Sequence, residues 1–419
     1  MKILRPRDYY FPEIVASSHL SDDMDEAYMR HKIICINHTP MPTRGISAQT
    51  RKKYKKIKYE ERNAGYVCVK RFPMIKEGKN PIQRAFRYLL CSFVQYYKAC
   101  KEKEVDVIYG GSTPPTQGML CALIKKHMQK KHKVAFVYNL QDVFPDSLVN
   151  AGMTKKGSII WKIGRWIENY TYKNADKIVV ISEDIKKNIE EKGVDKSKIV
   201  LIPNWIDTDK VKPVPKEKNL LYSEFGIDPN KFTVIYAGNM GAAQGADIII
   251  PVAKKLSDIQ FVVFGGGAEY STFKEKIQNS NMNNVIVNQL LPANRVPEVY
   301  SIGDIALITC KPGTGMAGMP SKTWTIMACN TPIVASFDMN SELAKILNDS
   351  KTGICVPPGN IEKLAEKIKE LSSEKTLLHE FNRGREYVVE NVSKYVCTEK
   401  TIAVLKDVCQ RKTYSGGNI

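Results

Sequence analysis

Residues 231–245 read KFTVIYAGNMGAAQG, and residues 259–269 read IQFVVFGGGAE. Each is a short apolar run rich in β-branched residues that ends in glycine. Continuous apolar runs of this length suit strands buried on both faces of a parallel sheet. In open parallel sheets, ligands sit at the carboxyl ends of the strands, where these glycines fall. The rhythm continues on both sides. Downstream lie NNVIVNQ (283–289), DIALITC (304–310), TPIVASF (331–337) and GICVPP (353–358). Upstream lie HKIICIN (31–37), GYVCVKR (65–71), VDVIYG (105–110), HKVAFVYN (132–139), DKIVVIS (176–182) and KIVLIPN (198–204). Amphipathic stretches fill the gaps, so the fold class is α/β with crossover connections.

The alternation pauses at WIDTDKVKPVPKEKNLLYSEFGIDPNK (205–231), which is polar and carries three prolines, and then restarts. The reading is two doubly wound Rossmann-like domains, residues 1–205 and 206–392, followed by a helical stretch and tail over 393–419. TYSGGNI (413–419) reads as a frayed end. The Arg5-Pro6-Arg7 segment interrupts the expected first strand, which should be short.

The 419 residues are 26% charged and 43% hydrophobic, a globular composition. No run approaches the ~18 apolar residues of a membrane span, and MKILRPRDYY lacks the apolar core of a signal peptide. The ten cysteines form no CxxC pair and no cluster with zinc spacing, so they read as free thiols, with a cytoplasmic location expected. The net charge of +19 is uneven. Residues 1–200 hold 38 Lys+Arg against 21 Asp+Glu, while residues 201–419 hold 25 against 23. Only the first half calls for an anionic partner: nucleic acid, an anionic membrane or a phosphorylated ligand.

Four loops in the second half carry candidate binding residues. The first holds Gly238, Asn239, Met240, Gly241 and Gln244, with a helix expected near Ala246. It reads either as an anion cradle or as a plain tight turn. The second, Gly265, Gly266 and Gly267, offers bare backbone to a ligand or to a close strand–helix approach. The third is Met319-Pro320-Ser321-Lys322, with Pro320 expected at the first helical position and Ser321 and Lys322 in the first turn. A lysine there opposes the helix dipole unless an anion is bound; otherwise it is a solvated surface cation. Gly313, Gly315 and Gly318 before it suggest a flexible, open loop. The fourth holds Glu342, which suits two sugar hydroxyls or serves as a first-turn acid behind Ser341 as N-cap.

In the first half, Asp142 follows HKVAFVYN at a strand's carboxyl end. It reads as a group acting on an acceptor hydroxyl or as a loop cap. Glu13, after the first strand, is a second acidic candidate. RKKYKKIK (51–58) packs six cations into an expected loop, either a solvated run or a contact for anionic headgroups. From Asn80-Pro81, the residues Ile82, Ala85, Phe86, Leu89, Leu90, Phe93, Val94 and Tyr97 form a helical stripe. Core docking is the main reading of that stripe, and a membrane-surface helix the alternative.

Several segments together resemble the retaining group 1 glycosyltransferases of the glycogen-synthase-like clan, and within it the bacterial surface-polysaccharide, fucosamine transferase-like branch. They are YFPEIVASSHL (10–20), LQDVFPDSLVNAG (140–152), ADKIVVISE (175–183), IPNWID (202–207), YAGNMGAAQG (236–245), FGGG (264–267), PSKTWTIMACNTPIVAS (320–336) and GICVPPGN (353–360). The resemblance implies the GT-B arrangement, with two Rossmann-like domains facing across a cleft and a C-terminal helix returning to the first. It implies that Gly238, Asn239 and Gly241 line a diphosphate, that Gly265–Gly267 lie beside the nucleoside, and that Leu290 and Leu291 lie along a uracil. It further implies that Ser321 and Lys322 meet the phosphates, with Arg295 as an added phosphate contact, and that Glu342 meets the ribose or sugar. Asp142 takes the place where relatives put a His or Asp near the transferred sugar.

The chain also departs from the family. Asn239 and Gln244 stand where many relatives have an Arg…Lys pair, and Ala317 and Thr325 where many have two glutamates. Cys329-Asn330 replaces a small-residue turn. The glycine-rich loop after the first strand is missing. Lys322 is left as the main cation for the phosphates.

The expected activity is transfer of a sugar from a UDP-sugar to a lipid-diphosphate-linked saccharide, with retention. The UDP-sugar is a substrate, and neither cofactor nor metal is expected. The expected partners are the nucleotide-sugar, the lipid-linked acceptor and an anionic membrane surface, with the protein peripheral on the inner face of the bacterial plasma membrane. A UDP-sugar epimerase on the same fold is the second reading. Nucleic-acid binding rests on charge alone, without interleaved aromatics or a recognised module.

Overall fold

The structure is a computed structural model. It describes residues 1–414 apart from 14, 16, 17, 79, 151 and 316–318. Ala317, Gly318 and the end of the tail therefore lie outside the described residues. Chain contacts divide the molecule into two units, Met1–Pro203 with Cys397–Ile419, and Asn204–Val396.

The first unit holds an eight-stranded sheet: β1 (Lys2–Pro6), β2 (Ile34–Pro40), β3 (Tyr59–Arg62), β4 (Val67–Phe72), β5 (Val107–Gly111), β6 (Ala135–Leu140), β7 (Lys177–Val180) and β8 (Ile199–Leu201). Its order is β3-β4-β2-β1-β5-β6-β7-β8. Every neighbouring pair is parallel except β3 with β4. The β3 strand has no apolar run to announce it. Its sequence YEER is polar, and a turn with Asn63 and Ala64 at φ 50° and 54° folds it back as an edge.

β1 runs through the arginine that was expected to interrupt it. Arg5 is buried, its guanidinium 4.7 Å from the Tyr109 ring centroid and 5.9 Å from that of Tyr28. Two aromatic faces thus take the place of water around the charge. The C-terminal helix Lys394–Tyr414 joins this unit from Cys397 onward, where Glu399 Oε1 accepts from Arg30 Nη2 at 2.9 Å.

Two expectations in this unit are corrected. The basic run 51–58 is not all loop: Arg51–Tyr54 finish the helix Ala48–Tyr54, capped by the Ser47 side chain, which accepts from Thr50 N–H. Cations in the last turn of a helix are favoured by its dipole. Most of the described apolar stripe of the helix Pro81–Ala99 does not dock on the core: Leu90 and Val94 are half-buried, the rest faces outward, and the Ile82 side chain lies outside the described residues. Phe86 is 61% exposed, Leu89 61%, Phe93 71% and Tyr97 60%, whereas Arg87, Cys91, Gln95 and Ala99 are buried. The inward seam is polar because β1 ends in polar groups. Arg87 Nη1 lies 3.6 Å from Asp8 Oδ2, Cys91 Sγ donates to Asp8 Oδ1 at 3.5 Å, and Gln95 Nε2 donates to the Arg7 carbonyl at 2.8 Å.

The second unit holds β9 (Thr233–Asn239), β10 (Gln260–Gly266), β11 (Val285–Gln289), β12 (Ile305–Thr309), β13 (Ile333–Ser336) and β14 (Gly353–Val356), in the order β11-β10-β9-β12-β13-β14, all parallel. This is a doubly wound sheet whose strand order reverses between β9 and β12, and a ligand crevice belongs at that reversal. The core packs Tyr236, Phe261 and Val263 of the strands against Ile249, Val252, Leu364 and Ile368 of the flanking helices. All ten cysteines are free thiols. Among the described residues no helix is long and apolar enough to cross a membrane.

Candidate functional site

The register of β9 and β10 places Gly265 beside Gly238 and Gly266 beside Asn239, so the two glycine-rich strand ends leave the sheet together. Met240 N–H donates to the Gly266 carbonyl at 2.6 Å, and Glu269 N–H to the Met240 carbonyl at 2.9 Å. The loops are stitched so tightly that side chains have no room. A Cβ on Gly267 would lie 2.2 Å from Asn239 Oδ1, and Gly267 has φ +107°, which L residues avoid. The chain then enters a 3₁₀ turn at Ala246–Ile248 before the helix Ile249–Lys255.

Gln244 shapes the first loop from within: its Oε1 accepts from Gly241 N–H at 3.0 Å, and its carbonyl accepts from Thr309 Oγ1 at 2.7 Å. The end of β9 is thereby tied to the end of β12 across the strand-order reversal. A cavity of about 450 Å³ opens there. Gly238, Asn239 and Gln244 line it from one side, Thr309 and Cys310 from the end of β12 and the residue after it, and Ser321 and Lys322 from the start of the helix after the third loop.

Lys322 begins the helix Lys322–Ala328, two residues later than expected, with Pro320 outside it. The side chain is half-buried. Its Nζ sits 4.1 Å from the Tyr236 ring centroid and donates to the Ala237 carbonyl at 3.4 Å. No carboxylate lies within ion-pairing distance of it among the described residues. Burial lowers the amine to about 8. An ammonium held against an aromatic face and a carbonyl, without a counter-charge, is poised for an anion in the cavity beside it.

Not every sequence candidate joins this cavity. Met240 turns its side chain into the core, 1% exposed, and contributes through its backbone. Leu290 is exposed beyond β11, its N–H donating to the Gly265 carbonyl at 3.1 Å and its side chain covering Gly266; Leu291 next to it is half-buried. Arg295 is committed elsewhere. Its guanidinium pairs with both oxygens of Glu224 at 3.0 and 2.7 Å and with Glu298 at 2.8 Å, so its charge is already matched. Glu342 opens the helix Glu342–Ser350 behind Ser341, whose Oγ accepts from Ala344 N–H at 3.3 Å; the capping reading of that pair is the geometry observed.

In the first unit, Asp142 is exposed just beyond the carboxyl end of β6, its N–H donating to Ser112 Oγ at 3.2 Å. Glu13 is buried, and its Oε1 accepts from the Thr43 and Arg44 amides at 2.7 and 2.9 Å. It holds the loop after β2 rather than offering an open carboxylate, and burial raises its pKa.

Sequence reasoning missed two contributors. Tyr236 was read only as a strand residue, although an aromatic two positions before a glycine-rich strand end can lie under a cation. Asp338 accepts from Gly313 N–H at 3.0 Å and Gly315 N–H at 2.8 Å, so the described part of that glycine loop is pinned rather than open. An acid directly after TPIVASF was the available signal. Among the described residues no cluster of His, Cys, Asp or Glu is placed to hold a metal ion.

Comparison with known proteins agrees with this geometry. Residues 218–388 match the family model for glycosyl transferases group 1, and residues 50–210 match that for glycosyltransferase family 4. The chain is 29% identical over 303 residues to a probable glycosyltransferase, WbjE, of Pseudomonas aeruginosa, covering 72% of this chain and 74% of that one. It is 24% identical over 406 residues to a putative colanic acid biosynthesis glycosyl transferase, WcaI, of Escherichia coli K12, covering 94% and 97%. The fold is similar to that of Anabaena HepE, crystallised with UDP, at a TM-score of 0.69 and 16% identity over 97% of this chain and 100% of that one. With both Rossmann-like units matched in order, the chain is similar to group 1 glycosyltransferases over most of its second unit and to family 4 glycosyltransferases over most of its first.

Proposed function

We propose that this protein transfers a sugar, an N-acetylated hexosamine, from a UDP-sugar to a lipid-linked saccharide during assembly of a bacterial cell-surface polysaccharide. The transfer proceeds with retention, and the protein works at the inner face of the plasma membrane. The observation that carries this reading is the convergence of bare backbone at Gly238, the polar side chains of Asn239, Gln244 and Ser321, and the Lys322 ammonium, without a counter-charge among the described residues, on one cavity at the strand-order reversal. HepE has been crystallised with UDP and with UDP-glucose, which supports a uridine nucleotide donor. The name of WcaI, a putative colanic acid biosynthesis glycosyl transferase, supports a polysaccharide role.

The chemistry follows from charge. As the glycosidic bond to the donor breaks, negative charge gathers on the departing diphosphate. Preorganised N–H groups and an ammonium in a partly desolvated cavity stabilise that charge more than they stabilise the ground state. Lys322 supplies the ammonium and the glycine loops supply backbone, so the leaving group's charge is met by the chain itself. Asp142 is assigned to the acceptor hydroxyl, or to the positive charge developing at the anomeric carbon.

The test is incubation of the purified protein with a panel of UDP-sugars and a bacterial lipid extract. Mass spectrometry reads the product, and NMR reads the configuration of the new linkage. A glycosylated lipid of retained configuration is expected. Conversion of a UDP-N-acetylhexosamine without any acceptor would establish an epimerase instead.

A further inference from the structure

The helix Gln117–Met128 follows β5, so its first turn marks the carboxyl edge of the first unit's sheet. The helices Pro81–Ala99 and Ile159–Asn174 flank it and run the same way. Ser92 Oγ lies 3.3 Å from Thr116 Oγ1 and the Tyr96 ring 6.0 Å from that of His127, while Thr171 packs on Gly118 and Lys125 Nζ donates to the Asn174 carbonyl at 2.9 Å. Both flanking helices therefore reach the start of the middle one late in their own length. At ~1.5 Å per residue, Phe86 lies roughly 9 Å and Ile160 roughly 16 Å beyond that level along their helices.

Exposed apolar side chains cover these overhanging ends and continue along the first helix as Phe93 and Tyr97. Phe86 and Leu89 stand on one helix; Ile159 (77% exposed), Ile160, Ile163 and Trp166 stand on the other. Isolated exposed apolar residues are ordinary, but two parallel helix faces of this kind at one edge of one unit are not. The segments bearing them, 80–98 and 153–167, contain no acidic residue. They contain Lys155, Lys156 and Lys162, with Lys98 at the far end of the first helix, besides the inward-facing Arg87, Arg84 paired with Glu77 at 3.1 Å, and the helix-paired Arg165. Aromatic and aliphatic residues on one face with cations beside them match the boundary of an anionic bilayer, where the rings enter the acyl margin and the cations meet headgroup phosphates.

The same edge carries Asp142. Gly164, on the inner side of the second helix, packs against Phe144 and Pro145, two and three residues after it. We propose that the outward faces of the helices Pro81–Ala99 and Ile159–Asn174 together seat the protein on an anionic membrane, with the loop after β6 held next to the headgroups. This rests on the reading of a lipid-linked acceptor. It assigns docking to this pair of faces rather than to the basic run 51–58.

The test uses the full chain and vesicles of phosphatidylglycerol with phosphatidylethanolamine, against vesicles of phosphatidylcholine. Phe86→Ser with Leu89→Ser, and separately Ile160→Ser with Ile163→Ser, should each lower co-sedimentation with the anionic vesicles by about tenfold or more. Lys52→Gln with Lys53→Gln should lower it much less. Brominated lipid should quench the fluorescence of the unmodified chain, and Trp166→Phe should remove most of that quenching, which tests the surface without relying on the serine variants folding. Vesicle binding by both serine variants equal to the parent's, or absence of Trp166 quenching, would overturn the proposal. So would a concentration-dependent dimer in light scattering that the serine variants dissolve, since the faces would then belong to a second copy. Sugar transfer to a detergent-solubilised acceptor separates the two readings. Transfer without vesicle binding overturns the docking surface alone, whereas vesicle binding lost in the serine variants upholds the docking surface even where no transfer is found.

Discussion

Lys322 Nζ stands 4.1 Å from the centre of the Tyr236 ring, with the Ala237 carbonyl as its hydrogen-bond acceptor. The aromatic face and the carbonyl dipole hold the ammonium without neutralising it. Removing it with Lys322→Ala should slow transfer by about 10²–10³-fold, the usual cost of losing one group that stabilises developing oxyanion charge. Near-parental turnover would remove Lys322 from the mechanism.

The pH dependence of the same residue has a fixed sign. Burial lowers the amine to about 8, below its value in the unfolded chain. Affinity of the free enzyme for UDP should therefore weaken as pH rises through about 8, by up to tenfold per unit where only the charged form binds. Stability should move the other way. Between about 8 and 10 the unfolded chain holds the extra proton, so this group's contribution to folding improves as pH rises. Lys322→Met should accordingly melt no lower than the parent at pH 7 while losing UDP affinity, as calorimetry on both variants will show.

Gly267 tests whether the glycine loops act by geometry. Its φ of +107° and the 2.2 Å separation between an added Cβ and Asn239 Oδ1 leave alanine no relaxed position. Gly267→Ala should cost on the order of 1–3 kcal/mol and displace Asn239 from the cavity wall. Reduced UDP affinity in calorimetry together with a lowered melting point is expected; parental affinity would mean that the loop merely turns.

These results mark where the sequence was informative. The glycine-ended apolar runs at 234–238 and 261–266 carried both the parallel sheet and one wall of the candidate cavity, because strand burial and close backbone packing write directly into residue type. Two features did not announce themselves. β3 is an edge strand of charged residues, stabilised by pairing to β4 rather than by burial, so no apolar pattern marks it. The stripe from Phe86 to Tyr97 has a clean helical period, but period alone does not say which face turns inward. Here Asp8 and the Arg7 carbonyl required polar partners, and the seam of Arg87, Cys91 and Gln95 supplied them. Arg295 shows the converse: a cation near a strand end looked available until Glu224 and Glu298 were found beside it.

The proposed function gives Asp142 a role on the acceptor side, apart from nucleotide binding. Asp142→Asn keeps the size and the Ser112 contact of the backbone while removing the charge. Turnover should fall by about 10²–10⁴-fold, with UDP affinity unchanged. Steady-state kinetics beside UDP titration separates the two; unchanged turnover would assign Asp142 to capping the loop alone.

The buried pair of Arg87 and Asp8 should control how the helix Pro81–Ala99 lies. The guanidinium is 1% exposed, and Asp8 is as deeply buried. Burial raises the Asp8 carboxyl to about 6, even with Arg87 pulling it down. The folded-state value is thus above the unfolded one, so this group favours folding most at low pH, and its contribution declines as pH rises from about 4 through 6. Arg87→Met leaves a buried carboxylate without its counter-charge and should destabilise the chain by about 3–5 kcal/mol at pH 7, less at pH 5. Adding Asp8→Asn to Arg87→Met removes the orphaned charge and should recover much of that loss. Denaturant titration of the full chain at the two pH values reads all three variants. Equal stability of the single and double variants would show that the two charges do not hold the helix as a pair.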